Sequence, residues 1–158
     1  MPAWPRQSEV RAFFGEPGGP QCTAGMCELP FPMVIAWDKT QIIRRFRCHA
    51  KVEAAFERVF AGVLKHYGME QIAQLGLNVF GGCYNYRPMR GGNAWSMHSW
   101  GIAVDLDPAR NQLKWGRDKA VFARPEYQAF WEIVESEGLL SLGRARNMDW
   151  MHFQAARL

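Results

Sequence analysis

The chain has no stretch that is both long and apolar. Met33–Trp37 is the longest apolar run in its first part, far short of the roughly 20 residues a membrane-spanning helix needs, so no membrane insertion is expected. Met1–Gln7 are not followed by an apolar core of signal-peptide length, so the expectation is synthesis in the cytoplasm without an export signal. Cysteine is scarce. Cys22, Cys27, Cys48 and Cys83 make no C-x-x-C pair, and free thiols are expected, with Cys48 and Cys83 buried. Cys22 and Cys27, in one Gly/Pro-rich loop, are where a disulfide or half of a structural metal site would otherwise form. The H-E-x-x-H pattern is missing, which excludes a metal held by two histidines on one helix face. There are no internal repeats and no low-complexity tracts, which excludes a solenoid. Basic residues number 19 against 15 acidic, a net charge of +4 spread along the chain. A nucleic-acid partner usually needs a denser basic stripe and is not expected.

What is present describes a packed fold. Hydrophobic residues make up 48% and aromatics 13% of 158 residues, enough for one domain with a core. Residues 1–158 are read as a single domain, with 1–32 as an N-terminal arm and a core over about 33–158. Ser8 can cap a short helix with Val10, Phe13 and Phe14 on its apolar face, closed by Gly15. Glu16–Pro32 reads as a loop, Met33–Trp37 as a short buried strand, and Asp38 as a turn. Val52, Phe56, Val59, Phe60, Val63, Leu64 and Tyr67 make a helical stripe over Ala50–Tyr67, which Gly68 ends; a shorter helix over Glu70–Leu75 follows. His49 and His66, at the two ends of the stripe, read as solvated or capping residues. Asn78–Tyr84 and Gly101–Leu106 read as strands, Asn85–Gly92 and Pro108–Arg124 as loops. A helix starts at Pro125 with Tyr127, Phe130, Trp131 and Val134 inward, and Gly138 stops it. Met151–Ala155 reads as a last strand. The fold class expected is α+β, a small and mainly antiparallel sheet with helices against one side.

Two short stretches carry chemistry. In Trp95–Asp107, His98 is followed seven residues on by Asp105, at the end of an apolar run. In Met148–Phe153, Asp149 stands three residues before His152. Two histidines and one aspartate can hold zinc with a position left open, and the remaining carboxylate is then free to act as a base. Asp107 competes with Asp105, since both would share one face of a strand. Trp95, Trp100, Trp115 and Trp150 crowd the motifs and suit either a groove wall or the core. Arg144 and Arg146 suit either contact with an anionic peptide or a solvated loop.

The pattern S-x-H-x-x-G-x-A-x-D at Ser96, His98, Gly101, Ala103 and Asp105, followed late by D-x-x-H-F at Asp149–Phe153, resembles the zinc D-Ala-D-Ala carboxypeptidase and L-alanyl-D-glutamate endopeptidase family. The resemblance spans about Tyr84–Phe153. It implies the fold shared by these peptidases and the hedgehog signalling domain. It implies one Zn2+ ion held by His98, Asp105 and His152, which favours Asp105 over Asp107. It further implies Asp149 as general base, where many relatives have Glu and the phage-type endopeptidases have Asp. Tyr86-Arg87 falls on the family's Tyr-Arg element, so Arg87 would steady the developing oxyanion. Ser96, Tyr86 and Trp150 are expected at the substrate. The family often has Glu after the final His-Phe; here Gln154 stands there. The implied function is zinc-dependent cleavage of the peptidoglycan stem peptide by a monomer of phage-endolysin type, made inside the host and acting on the wall after release. A D-Ala-D-Ala carboxypeptidase and a non-catalytic zinc or wall-binding module are the alternatives.

Overall fold

The computed structural model describes residues 3–89 and 91–158. Met1, Pro2 and Arg90, parts of the expected arm and of the loop Asn85–Gly92, lie outside the described residues. The chain runs α1 (Val10–Phe14), β1 (Gly25–Ile35), β2 (Asp38–Cys48), α2 (Glu53–Leu75), β3 (Val79–Gly82), β4 (Ala103–Leu106), α3 (Gln128–Ser136), β5 (Leu140–Ser141), α4 (Leu142–Arg146) and β6 (His152–Gln154), with short 3-10 turns between them. Among the described residues the six strands make one sheet in the order β2-β1-β3-β4-β6-β5. Every junction is antiparallel except β1–β3. This is the mixed, mainly antiparallel α+β architecture the sequence leads one to expect.

The expected loop Glu16–Pro32 is corrected from Gly25 onward, because Gly25–Pro32 is the first part of β1. Pro30 and Pro32 made it look like a loop. They fall where the ladder to β2 slips, between Glu28↔Arg45 and Met33↔Ile43, and a residue without an N–H is tolerated there. Asp38 opens not merely a turn but the edge strand β2, whose polar outer residues hide any alternation. On the far side of β1, β3 pairs only with Val34 and Ile35. Further up, carboxylates of α2 take the place of a strand: Glu53 accepts from the Met26 N–H at 2.7 Å and Glu57 from the Glu28 N–H at 2.8 Å.

The helical backbone of α2 breaks at Gly68, which takes φ 76° and ψ 162°, and a second helical stretch runs on to Leu75, in keeping with the two helices expected there. Phe56 of α2 and Phe130 of α3 both meet Phe153 of β6 with their ring edges or faces, at centroid distances of 5.9 and 6.2 Å. Phe153 therefore points to the helices. By strand alternation His152 and Gln154 point to the opposite face. The expected helix at Pro125 begins as a 3-10 turn, Pro125–Tyr127, before α3. The expected polar loop Pro108–Arg124 is not wholly polar in place: Ala120 and Phe122 are buried in the core.

The N-terminal segment is stitched to the chain's last residues. The Gln7 N–H donates to the Arg157 carbonyl at 2.7 Å, the Arg157 N–H to the Pro5 carbonyl at 2.8 Å, and the Trp4 indole to the Glu137 carbonyl at 2.9 Å. Ser8 lies within a 3-10 turn and does not cap α1; Gly15 does close it, at φ 88°. All four cysteines are free and buried. His66 is exposed, but His49 is buried rather than solvated. Its Nε2–H donates to the Phe14 carbonyl at 2.8 Å, and its Nδ1 accepts from the Lys51 N–H at 3.0 Å. Both ring nitrogens are thus used by a neutral imidazole.

Two predictions follow from these contacts. Burial pushes the His49 pKa down, against the pull of the Phe14 carbonyl. The unfolded chain then binds a proton that the fold excludes, so this contribution is complete above the ordinary histidine pKa of about 6.5 and is lost as pH falls below it. Urea midpoints taken from pH 8 to pH 5 should fall more steeply for the unaltered protein than for His49→Gln. Gly101 has φ 68°, and an added Cβ would run into the Cys22 carbonyl. Gly101→Ala should cost at least ~1–2 kcal/mol from the backbone alone, with a further loss from that overlap, read as a lowered thermal midpoint.

Candidate metal centre

His98 is delivered by a 3-10 turn, Met97–Trp100. Ser96 caps this turn, its Oγ accepting from the His98 N–H at 3.2 Å, and Gly101 leaves it in the left-handed region. The serine and the glycine of the first motif therefore have local reasons to be there. Asp105 comes from β4 and His152 from β6, and the two are direct partners in the antiparallel register. A one-residue slip would turn either side chain into the helices.

The proton inventory of this cluster is informative. His98 Nδ1 lies 2.7 Å from the Cys83 carbonyl, an acceptor only, so this nitrogen carries the proton. Its Nε2 then presents a lone pair, 3.1 Å from Asp105 Oδ2. His152 Nε2 lies 2.8 Å from Gln154 Oε1 and donates to it, so its Nδ1 turns a lone pair towards Asp105 Oδ1 at 3.0 Å. Two imidazole lone pairs and a carboxylate converge, their ligand atoms within 4.8 Å of one another. Such an arrangement needs a cation or an extra proton at its centre. Burial works against a charge on His152, yet the hydrogen bond and charge of Asp105, with Asp149, push its pKa up to about 9. Burial likewise favours the neutral form of Asp105, but the two histidines hold its carboxyl well below the usual range. Without a metal the cluster thus captures a proton in its place. The donor set fits Zn2+: two neutral imidazoles, each orienting its second nitrogen through a hydrogen bond, and one carboxylate.

Asp149 stands beside this trio. Its Oδ2 is 3.8 Å from His152 Nδ1, and its backbone is held at φ 54° with its N–H donating to the Leu113 carbonyl at 2.8 Å. Burial pushes its pKa up; the charges of His152, His98 and Arg87 pull it down, while Asp105 raises it further. Asp107 is not part of the group. It takes φ 46°, and its carboxylate turns away to pair with Arg110 at 2.6 Å.

A cavity of about 830 Å³ opens over the cluster. Its wall includes Arg87, Ser96, Lys114, Trp115, Arg146 and Asp149. Two residues expected at the substrate do not line it. Tyr86 stacks on Trp95, with ring centroids 4.5 Å apart, and lies over Gly18. Trp150 is buried flat against Gly143 and edge-on to Trp131. Trp100 likewise belongs to the core, its indole donating to the Gly15 carbonyl at 2.7 Å. Arg144 pairs with Glu135, while Arg146 faces the cavity.

Sequence reasoning missed two supports. Ser99 Oγ accepts from the Arg87 N–H at 3.1 Å and donates to the Arg87 carbonyl at 2.8 Å, pinning the Arg87 loop beside His98. Gln154 was visible as a departure from a pattern, and its place two residues after His152 on a strand already put both on one face.

No curated protein and no solved structure matches the chain. One family model does: the D-alanyl-D-alanine carboxypeptidase family, over residues 90–155. The matched segment, which carries His98, Asp105, Asp149 and His152, is thus similar to the D-alanyl-D-alanine carboxypeptidase family of peptidases.

Proposed function

We propose that residues 1–158 form one peptidase domain that cuts the stem peptide of bacterial peptidoglycan, using a Zn2+ ion held by His98 Nε2, Asp105 and His152 Nδ1. The observation that carries this reading is the inward convergence of three electron-pair donors beside a fourth, unused carboxylate, at the floor of a cavity. The family match supports a peptidase that acts on wall peptide. The fold is then that of the D-Ala-D-Ala peptidases and the hedgehog domain.

A zinc ion there would acidify a water molecule and polarise the scissile carbonyl. Asp149 takes the proton of the attacking water and hands it to the leaving amine. Its raised pKa suits both halves of that task. Arg87, held by Ser99 on the cavity wall, offers N–H donors to the oxygen on which negative charge develops. Ser96 combines its turn-capping role with a place on the wall. Tyr86 and Trp150 act from behind, the first by stacking under the Arg87 loop and the second by supporting the turn that carries Asp149.

Within this class we favour an L-alanyl-D-glutamate endopeptidase of endolysin type, working as a monomer on the wall, because aspartate stands at the base position. Carboxypeptidase action is the second reading, favoured by Arg146 and Lys114 on the wall, which can grip a terminal carboxylate.

Dialysed protein should retain about one zinc, removable by a strong chelator with loss of hydrolysis and restored by Zn2+. Asp105→Asn should weaken zinc binding at least tenfold, whereas Asp107→Asn should keep it and lower only stability. Equal zinc retention by the two variants would sink the ligand assignment. Asp149→Asn should keep zinc and lose at least 10²-fold in turnover of purified peptidoglycan. Mass spectrometry of the fragments separates the readings: a cut after L-Ala means the endopeptidase, loss of terminal D-Ala the carboxypeptidase. Zinc bound with no chelator-sensitive cleavage would favour the binding module and end the peptidase reading.

A further inference from the structure

His152 reaches Asp105 with the correct nitrogen only if its proton sits on the other one. That other nitrogen faces a side-chain amide, and an amide, unlike a carboxylate, has a wrong way round. Turned one way, Gln154 accepts from the His152 Nε2–H. Turned the other way, its NH2 group would demand a lone pair on Nε2 and drive the proton onto Nδ1, against Asp105. What orients the amide decides the centre.

The orientation is set by two acceptors. Gln154 Nε2 donates to Gln7 Oε1 at 2.8 Å and to the Ala156 carbonyl at 3.0 Å. A flipped Gln154 would set its oxygen against the Ala156 carbonyl, which can only accept, and would require Gln7 to turn its own amide as well, inside a site where Gln154 is almost wholly buried. Gln7 lies 147 positions away in sequence and outside the matched family segment. It is placed by the arm: its own N–H donates to the Arg157 carbonyl, and Arg157 Nε donates to the Trp4 carbonyl at 2.9 Å.

We propose that Gln7 and Gln154 are positioning residues of the metal centre, a two-amide relay by which the N-terminal arm fixes one proton on His152 Nε2 and so leaves Nδ1, facing Asp105, as the nitrogen a metal ion would take. The arm is then a working part of the metal centre and not a wrapping over it. The effect on zinc rests on the ligand reading given above; the effect on the proton does not.

The test uses the full chain and three variants. Gln7→Leu removes the acceptor at similar volume. Gln7→Glu keeps an acceptor in place. Gln112→Glu adds the same charge to the cavity wall away from the relay and controls for electrostatics. Two quantities are read: zinc affinity by competition with a chelating dye, and exchange protection of the His152 Nε2 proton in nitrogen-15 spectra, with and without zinc. Gln7→Leu should lower zinc affinity about tenfold, within the range of 10–100-fold seen when partners of ligating histidines are lost. It should also speed exchange of the Nε2 proton. Gln7→Glu should restore both, and by more than Gln112→Glu raises affinity. The relay is refuted if Gln7→Leu changes the thermal midpoint alone, leaving zinc affinity within twofold and the Nε2 proton equally protected. It is refuted too if the unaltered protein shows no protected Nε2 proton. A protected proton that Gln7→Leu exposes, in a protein that binds no zinc, would uphold the relay and overturn the ligand reading.

Discussion

Three electron-rich atoms held together in a buried place repel one another, and this protein is built around forcing them to stay. His98 Nε2, His152 Nδ1 and the Asp105 carboxylate cannot relax apart, because each is tied from behind. The Cys83 carbonyl holds one imidazole, Gln154 holds the other, and the β4–β6 register holds the carboxylate opposite His152. A positive centre relieves the repulsion. The fold thus supplies the strain that makes a cation welcome, and the core on the other face of β6, where Phe153 meets Phe56 and Phe130, supplies the rigidity.

The division of β6 into two faces separates two kinds of work. Phe153 packs against the helices while His152 and Gln154 face the polar cluster, so each side can be changed with little cost to the other. The same economy runs through the first motif. Ser96 and Gly101 shape the turn that aims His98, and Ala103 is fully buried in β4. The residues that define the pattern in sequence are therefore mostly residues that define backbone geometry.

That explains which parts were legible. Asp105 and His152 were picked out by the resemblance of two short motifs to a known family, and the strand period put each on a strand without choosing between Asp105 and Asp107. The α2 and α3 stripes could be found because burial on one helix face imposes a period. Residues Gly25–Pro32 could not, since two prolines and a glycine mimic a loop and only the register with β2 shows where prolines are harmless. The break of α2 at Gly68 was legible, because the glycine falls directly after the buried stripe and leaves the helical region there. Asp107 and Asp105 were inseparable by spacing; a left-handed backbone at Asp107 and the pairing of its carboxylate with Arg110 part them in space. Tyr86 and Trp150 were drawn to the site by adjacency to it, whereas aromatic stacking and a glycine beneath an indole place them behind it. Gln7 had no signal at all: a contact across nearly the whole chain leaves no trace in local pattern.

The backbone of Asp149 limits which acid can stand there without strain. At φ 54° it occupies a region that aspartate, asparagine and glycine enter far more readily than longer or branched residues. An exchange of aspartate for glutamate here is therefore not a simple lengthening of the side chain. A longer acid there would hold the same left-handed backbone at a cost of about 1–2 kcal/mol, beside Asn147, which is left-handed too. The turn before β6 thus sets aside part of the fold's stability to hold this one carboxylate where it is.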